Sequence, residues 1–221
     1  EPVGRALPGE LLDGRVEARE TDTPIAYVTD VEAGRPQLKS YVSYPDRFRL
    51  DRSGLEEDGR TFVGIHNPPL RMIIIGAVHI AQHLVPMAQA CGYRPIVIDP
   101  RPAFASETRF PDVTIMDDWP DEALRALKVD ARTAVVTLTH DPKLDDPAIV
   151  TVLESEAFYL GCLGSTRTHA KRIERLKEVG FTDAELARIH APVGLDIGGR
   201  QPAEIAVSIM AQVTETLRKR P

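Results

Sequence analysis

Gly76, Ala77 and His79 follow directly on the apolar run Arg71 to Ile75, and Asp99 and Arg101 follow a second run, Ile96 to Ile98. A glycine at the end of a strand lets the backbone turn tightly toward a phosphate, and an acidic residue after the next strand is placed to bind a ribose hydroxyl. Gly76 and Ala81 match the dinucleotide fingerprint G-x-G-x-x-G/A, but Val78 takes its middle position. A β-branched side chain there should fill part of the pyrophosphate seat. On this motif alone, a loop that holds a nucleotide and a loop that holds nothing both stay open.

The stretch Gly164-Ser165-Thr166-Arg167-Thr168-His169-Ala170-Lys171-Arg172 offers a second chemistry. Ser165 is a good N-cap after an apolar run, so a helix should begin there and reach Gly180. Cations in its first turns oppose the positive end of the helix dipole, at a cost of roughly 0.3 to 1 kcal/mol each. A bound phosphate converts that penalty into a site, completed by free backbone amides. The alternative is a solvated basic face. Ligands of open α/β sheets bind beyond the carboxyl ends of the strands, which favours the anion site.

His79 and His140 stand after different strands and could face one crevice, as ligands, as acid/base groups or in structural roles. The pairs Asp117-Asp118 and Asp145-Asp146 read as solvated loop acids or helix caps more readily than as a cation site. Gly198-Gly199-Arg200, just before a helix start, reads as a tight turn needing glycine's free φ, with an anion contact as the alternative. Closely spaced metal ligands, a G-x-S-x-G elbow and a Cys/His nucleophile signature are all missing, so no metal site is expected and a catalytic residue stays unknown.

The elements that must position these groups alternate. Arg71 to Ile75 reads as a strand, Ile80, Leu84, Met87 and Cys91 as one face of a helix capped at Gly92, and Ile96 to Ile98 as the next strand. Strands are also expected at Val113 to Met116, Ala131 to Thr139, Ala157 to Leu163 and just before the Gly198-Gly199 loop. Helices are expected at Pro120 to Leu127, Pro147 to Glu154, Ser165 to Gly180, Thr182 to Ile189 and from Pro202 onward. This is a doubly wound, mostly parallel α/β sheet of Rossmann type over residues 68–221. Residues 1–67 differ. Residues 1–23 read as a loose lead segment, and Ile25 to Thr29, Leu38 to Tyr44, Arg47 to Asp51 and Arg60 to Ile65 as a small antiparallel β appendage. Such an appendage should pack on a neighbour, which makes a homodimer the expected state.

A hydrophobic share of 43% is that of an ordinary core, and the net charge of −6 argues against general nucleic-acid binding. No apolar run is long enough for a membrane span and no signal pattern is apparent, so a cytoplasmic protein is expected. Cys91 and Cys162 read as buried thiols.

Gly76 with His79, Val97-Ile98-Asp99-Pro100-Arg101, Thr137-Leu138-Thr139-His140-Asp141-Pro142, Leu163-Gly164-Ser165 with Arg167-Thr168-His169, and Ile189 through Gly198 with Pro202-Ala203-Glu204-Ile205-Ala206 together resemble the C-terminal domain of the XdhC/CoxI family, the xanthine dehydrogenase accessory proteins. The resemblance covers about Arg71 to the C-terminus. It implies a Rossmann-type fold and a maturation factor, not itself a turnover enzyme, that binds the molybdenum cofactor, a phosphorylated pterin or its dinucleotide. It also implies delivery of that cofactor to a molybdenum hydroxylase such as xanthine dehydrogenase. The cofactor site expected is Gly76, Ala77, His79, Asp99, Arg101, His140, Gly164, Ser165, Arg167, His169 and Asp196. Two departures stand out. The family loop more usually reads Gly-Ala-Gly-His, and the family's N-terminal domain, with its cysteine-glycine-glycine motif, is not recognisable in residues 1–70, which suggests either a C-terminal half that works with a separate N-terminal-type partner or a divergent copy with weakened affinity. The alternatives are an NAD(P)-dependent oxidoreductase, for which Asp99 favours NAD, and a regulatory scaffold with a degenerate pocket.

Overall fold

The computed structural model describes residues 9–101 and 103–219, which form two compact units divided between Pro68 and Pro69. The first holds α1 (Gly9–Glu20), β1 (Ile25–Asp30), β2 (Gln37–Ser40), a 3-10 turn (Tyr41–Ser43), α2 (Pro45–Arg49), β3 (Gly54–Leu55) and β4 (Thr61–His66). Its strands pair antiparallel in the order β2-β1-β4-β3. Ala26, Phe48 and Val63 make its core, with Val28, Tyr44 and Ile65 packed around them.

Three expectations for this unit are corrected. The lead segment is helical from Gly9, although residues 1–8 lie outside the described residues; α1 buries only Ala18, so its sequence carries no apolar stripe to read. Arg47 to Asp51 is not a strand. Pro45 sets the first helical φ of α2 and the helix turns Phe48 into the core. The strand expected to reach Tyr44 stops at Ser40, where the 3-10 turn begins.

The second unit runs β5 (Leu70–Ile75), α3 (His79–Ala90), β6 (Tyr93–Ile98), β7 (Thr114–Met116), α4 (Pro120–Leu127), β8 (Thr133–Thr137), α5 (Pro142–Leu153), β9 (Tyr159–Cys162), α6 (Thr166–Val179), α7 (Asp183–Leu186), β10 (Ile189–His190) and α8 (Pro202–Arg218). Its six strands are all parallel, in the order β10-β9-β8-β5-β6-β7. Central β5 is apolar on both faces because both are covered. Met72 and Ile74 meet α3 and α8, whereas Ile73 and Ile75 meet α4, α5 and α6, and all four are fully buried. Each such side chain contributes about 1.5–3 kcal/mol. From β5 the chain winds out through β6 and β7, then crosses back to β8, β9 and β10. The switch point therefore falls between the carboxyl ends of β5 and β8, where ligands of such sheets lie.

Here too there are corrections. Cys91 is exposed, because α3 ends at Ala90 and Gly92, at φ +81°, turns the chain away. Helix α5 begins at Pro142, not at Pro147: the Asp141 carboxylate accepts the Lys143 N–H at 3.0 Å, and Pro142 needs no N–H at the first position. Asp145 and Asp146 are thus helical and not loop acids. The short helix after Thr182 stops at Leu186, and the last strand is Ile189–His190, so residues 191–201 are irregular. Of the loop expected from Pro100, Pro102 lies outside the described residues.

Candidate functional site

The turn after β5 needs Gly76. Its φ is +103°, and a Cβ there would lie 2.7 Å from the Thr139 methyl carbon at the end of β8. The Ala77 N–H is not free, since it donates to Asp99 Oδ2 at 2.8 Å. Val78 precedes α3 in extended conformation, and its side chain packs against the α3 and α8 core. His79, the first helical residue, is exposed.

Asp99 is fully buried and enclosed by its own chain. Arg101 donates to it three times, from the backbone N at 3.1 Å and from Nε and Nη2 at 2.8 Å each. Burial opposes ionisation, but the hydrogen bonds from Arg101 and Ala77 outweigh it and hold the carboxyl below the ordinary aspartate value. The outer face of the Arg101 guanidinium lies 4.3 Å from the centre of the Phe104 ring.

The loop after β8 carries His140, exposed and at φ +63°, a left-handed conformation uncommon for a residue with a side chain. Beside it the Thr139 hydroxyl donates to Asp145 Oδ1 at 2.6 Å and accepts the Asp141 N–H at 3.1 Å.

The loop after β9 is built differently. Gly164 has φ +137°, with Thr168 against the place a Cβ would take. Ser165 caps α6 by accepting the Thr168 N–H at 3.2 Å. Arg167 is exposed and makes no ion pair among the described residues. His169 is half-buried; its Nδ1 has no protein partner, and burial followed by the Arg172 charge holds its pKa below the ordinary histidine value. Nor is Arg172 a surface cation, as the spacing suggested. It is buried behind the helix and donates from Nη2 to the Leu163 carbonyl at 3.2 Å.

The glycine-rich loop before α8 is held from within. Gln212 accepts the Gly194 N–H at 2.9 Å and the Tyr159 hydroxyl at 2.7 Å, and Glu204 accepts the N–H groups of Arg200 and Gln201. A carboxylate of the chain thus covers that helix start. Asp196 is exposed.

Of the residues singled out from sequence, the structure joins Gly76, Ala77, Asp99 and Arg101 in one bonded group and sets Gly164, Ser165, Arg167 and His169 on one turn. His79, at the start of α3, and His140, on the loop after β8, are both exposed. The parts played by Thr139, Asp145 and Arg172 escape a reading of the sequence. Thr139 lies inside a motif already singled out, but the other two sit behind it and announce themselves only through partners distant in sequence.

The model of the XdhC Rossmann domain matches residues 72–213, which is most of the second unit and well over half of the chain. The chain belongs to this family. Among the relatives of this XdhC-family chain is the Escherichia coli (strain K12) protein named molybdenum cofactor insertion chaperone PaoD, 33% identical over 80% of this chain and 48% of its own length. Another, from Bacillus subtilis (strain 168) and named as a probable xanthine dehydrogenase subunit, is 32% identical over 72% of this chain and 46% of its own length. The chain thus spans about half the length of the curated relatives it matches. A solved structure from Bacillus halodurans, described as a xanthine dehydrogenase, is 26% identical, superposes with a TM-score of 0.72, and is covered over 65% of its length by 96% of this chain. Among the described residues of the XdhC-family chain, no helix is long and apolar enough to cross a membrane and no group of His, Cys, Asp or Glu is arranged to hold a metal ion.

Proposed function

We propose that this chain holds the molybdenum cofactor by an anionic phosphate at the turn between β9 and α6 and assists its transfer to a molybdenum hydroxylase of the xanthine dehydrogenase type. Its relatives' names point to that role, and the arrangement that carries the reading is the unpaired Arg167 beside the Ser165-capped start of α6. The donor set fits the group. Gly164 and Ser165 open the backbone, Arg167 supplies charge, and His169 supplies a hydrogen bond to phosphate oxygens from a ring whose Nδ1 has no protein partner among the described residues. Exposed His79, His140 and Asp196 would line the rest of the proposed crevice, the two histidines where a flat pterin would pass, with Gly76, Ala77, Asp99 and Arg101 framing it from beneath. Once delivered, the cofactor supplies the metal centre that a hydroxylase uses; this chain's own residues bind it and shelter it.

The NAD reading fares worse on the same geometry. Asp99 would have to accept ribose hydroxyls, yet its oxygens already take four N–H groups of Ala77 and Arg101. Coexpression with a molybdenum hydroxylase, followed by molybdenum and pterin analysis of the purified chain, tests the proposal. Both should copurify, and Arg167→Ala should lower retention by about tenfold, the scale of one charged hydrogen bond. Equal retention by parent and variant, or saturable NAD binding by a chain that retains no pterin, would overturn it.

A further inference from the structure

Behind the proposed crevice lies an ion pair that makes poor sense as a stabilising device. The side chains of Arg172 on α6 and Asp145 on α5 are 3% and 2% exposed, and their closest atoms, Nη2 and Oδ2, are 3.6 Å apart. That is too long for a hydrogen bond. Nε and Nη1 of Arg172 and Oδ2 of Asp145 have no hydrogen-bond partner in the protein. A buried pair so incompletely matched does not repay its desolvation, and apolar side chains of similar volume usually serve stability as well or better. The neighbouring pair does not share the oddity: Arg175 binds Asp146 with two hydrogen bonds, 2.6 and 2.9 Å, nearer the surface.

What the buried pair does achieve is geometric. Arg172 holds the carbonyl of Leu163, the residue before the left-handed Gly164 and the capping Ser165. Asp145 holds the hydroxyl of Thr139, the same hydroxyl that receives the Asp141 N–H, and the Thr139 methyl closes against Gly76. The loops after β5, β8 and β9 are therefore tied through one buried contact.

We propose that Asp145 and Arg172 are positioning residues of the crevice, setting the loop that bears His140 at the right spacing from the turn that bears Ser165, Arg167 and His169, so that one anionic cofactor is gripped by both. The inference rests on the cofactor reading above for its ligand, but the claim about loop order stands separately. Neither side chain touches the cofactor. Both act through Thr139 and Leu163.

The test uses the full chain with the paired substitution D145L/R172M, which removes both charges together and should keep the thermal midpoint near that of the parent. Amide exchange in residues 139–142 and 163–169 should speed up by about tenfold while exchange in β5 is unchanged. Retention of pterin and molybdenum after coexpression with a hydroxylase should fall by about tenfold, as when a residue that orients a ligand-binding group is lost. R172K should behave like D145L/R172M in exchange, since an ammonium lacks the planar fork that reaches a carbonyl and a carboxylate at once. If D145L/R172M fails to fold, T139V, which keeps the side chain's shape but removes the hydroxyl that Asp145 holds, is read by the same two measurements with the same expected changes. Parental exchange in both loops at an unchanged midpoint would overturn the proposal. A parent that retains no pterin would sink the cofactor reading, and the exchange data would then decide the positioning claim by themselves.

Discussion

Two turns at the carboxyl edge of one sheet treat charge in opposite ways. After β5 and β6 the chain satisfies itself: Ala77 and Arg101 spend their donors on Asp99, and Phe104 covers the guanidinium. After β9 Arg167 is exposed and makes no ion pair among the described residues, and Ser165 serves only its own helix. The fold's customary phosphate loop thus spends its donors on the chain itself, and on the proposed reading the anion is held instead at the loop after β9, four strands later in the chain. Damage to the first turn should therefore appear as lost stability, and damage to the second as lost binding.

The sharpest break in that contrast is Asp99→Ala, which leaves Arg101 and the Ala77 amide without their acceptor and should cost about 3 kcal/mol in urea unfolding. The acid limb of stability tests the same contact. The folded pKa lies below the unfolded value, so the contribution is present above about pH 4 and is lost as pH falls through the folded value. Asp99→Asn should flatten that limb. Gly76→Ala comes next, at about 1–2 kcal/mol for the left-handed φ alone, with the Thr139 contact adding to it. Ser165→Ala, on the open turn, should cost about 1 kcal/mol of helix capping while also lowering pterin retention. Smallest in stability is Arg167→Ala, which should change the unfolding free energy by no more than about 0.5 kcal/mol. A large loss of stability there, or none at Asp99, would erase the distinction.

Much of this is legible in sequence where the signal is local. The apolar run through Ile73, Ile74 and Ile75, the Pro120 and Ser165 helix starts, the Gly180 stop and the Thr182-Glu185 capping box all sit within a few residues of what they determine. The Rossmann-type sheet follows from those. Reading fails where two local signals compete. Pro142 and Pro147 both suit a helix start, and only the Asp141 cap decides between them. Phe48, whose neighbours spell a strand, obeys Pro45 instead. The dispositions of Asp99, Asp145 and Arg172 are not legible at all, because a carboxylate that accepts from a backbone amide and one that accepts from a ligand have the same spelling. Arg172 stands 27 positions after Asp145, and no periodicity links them.

The contrast between the two cysteines has a practical use. Cys162 is sealed in the core with its thiol pushed up to about 12, whereas Cys91 is exposed just beyond the end of α3. At neutral pH a maleimide dye should therefore attach at one place in the unaltered chain. That place lies just past the twelve-residue helix that His79 opens, about 18 Å from it at the ordinary rise. A fluorophore there would sit clear of the proposed crevice yet near enough to report, by a change in its own emission, whether the proposed cofactor binds.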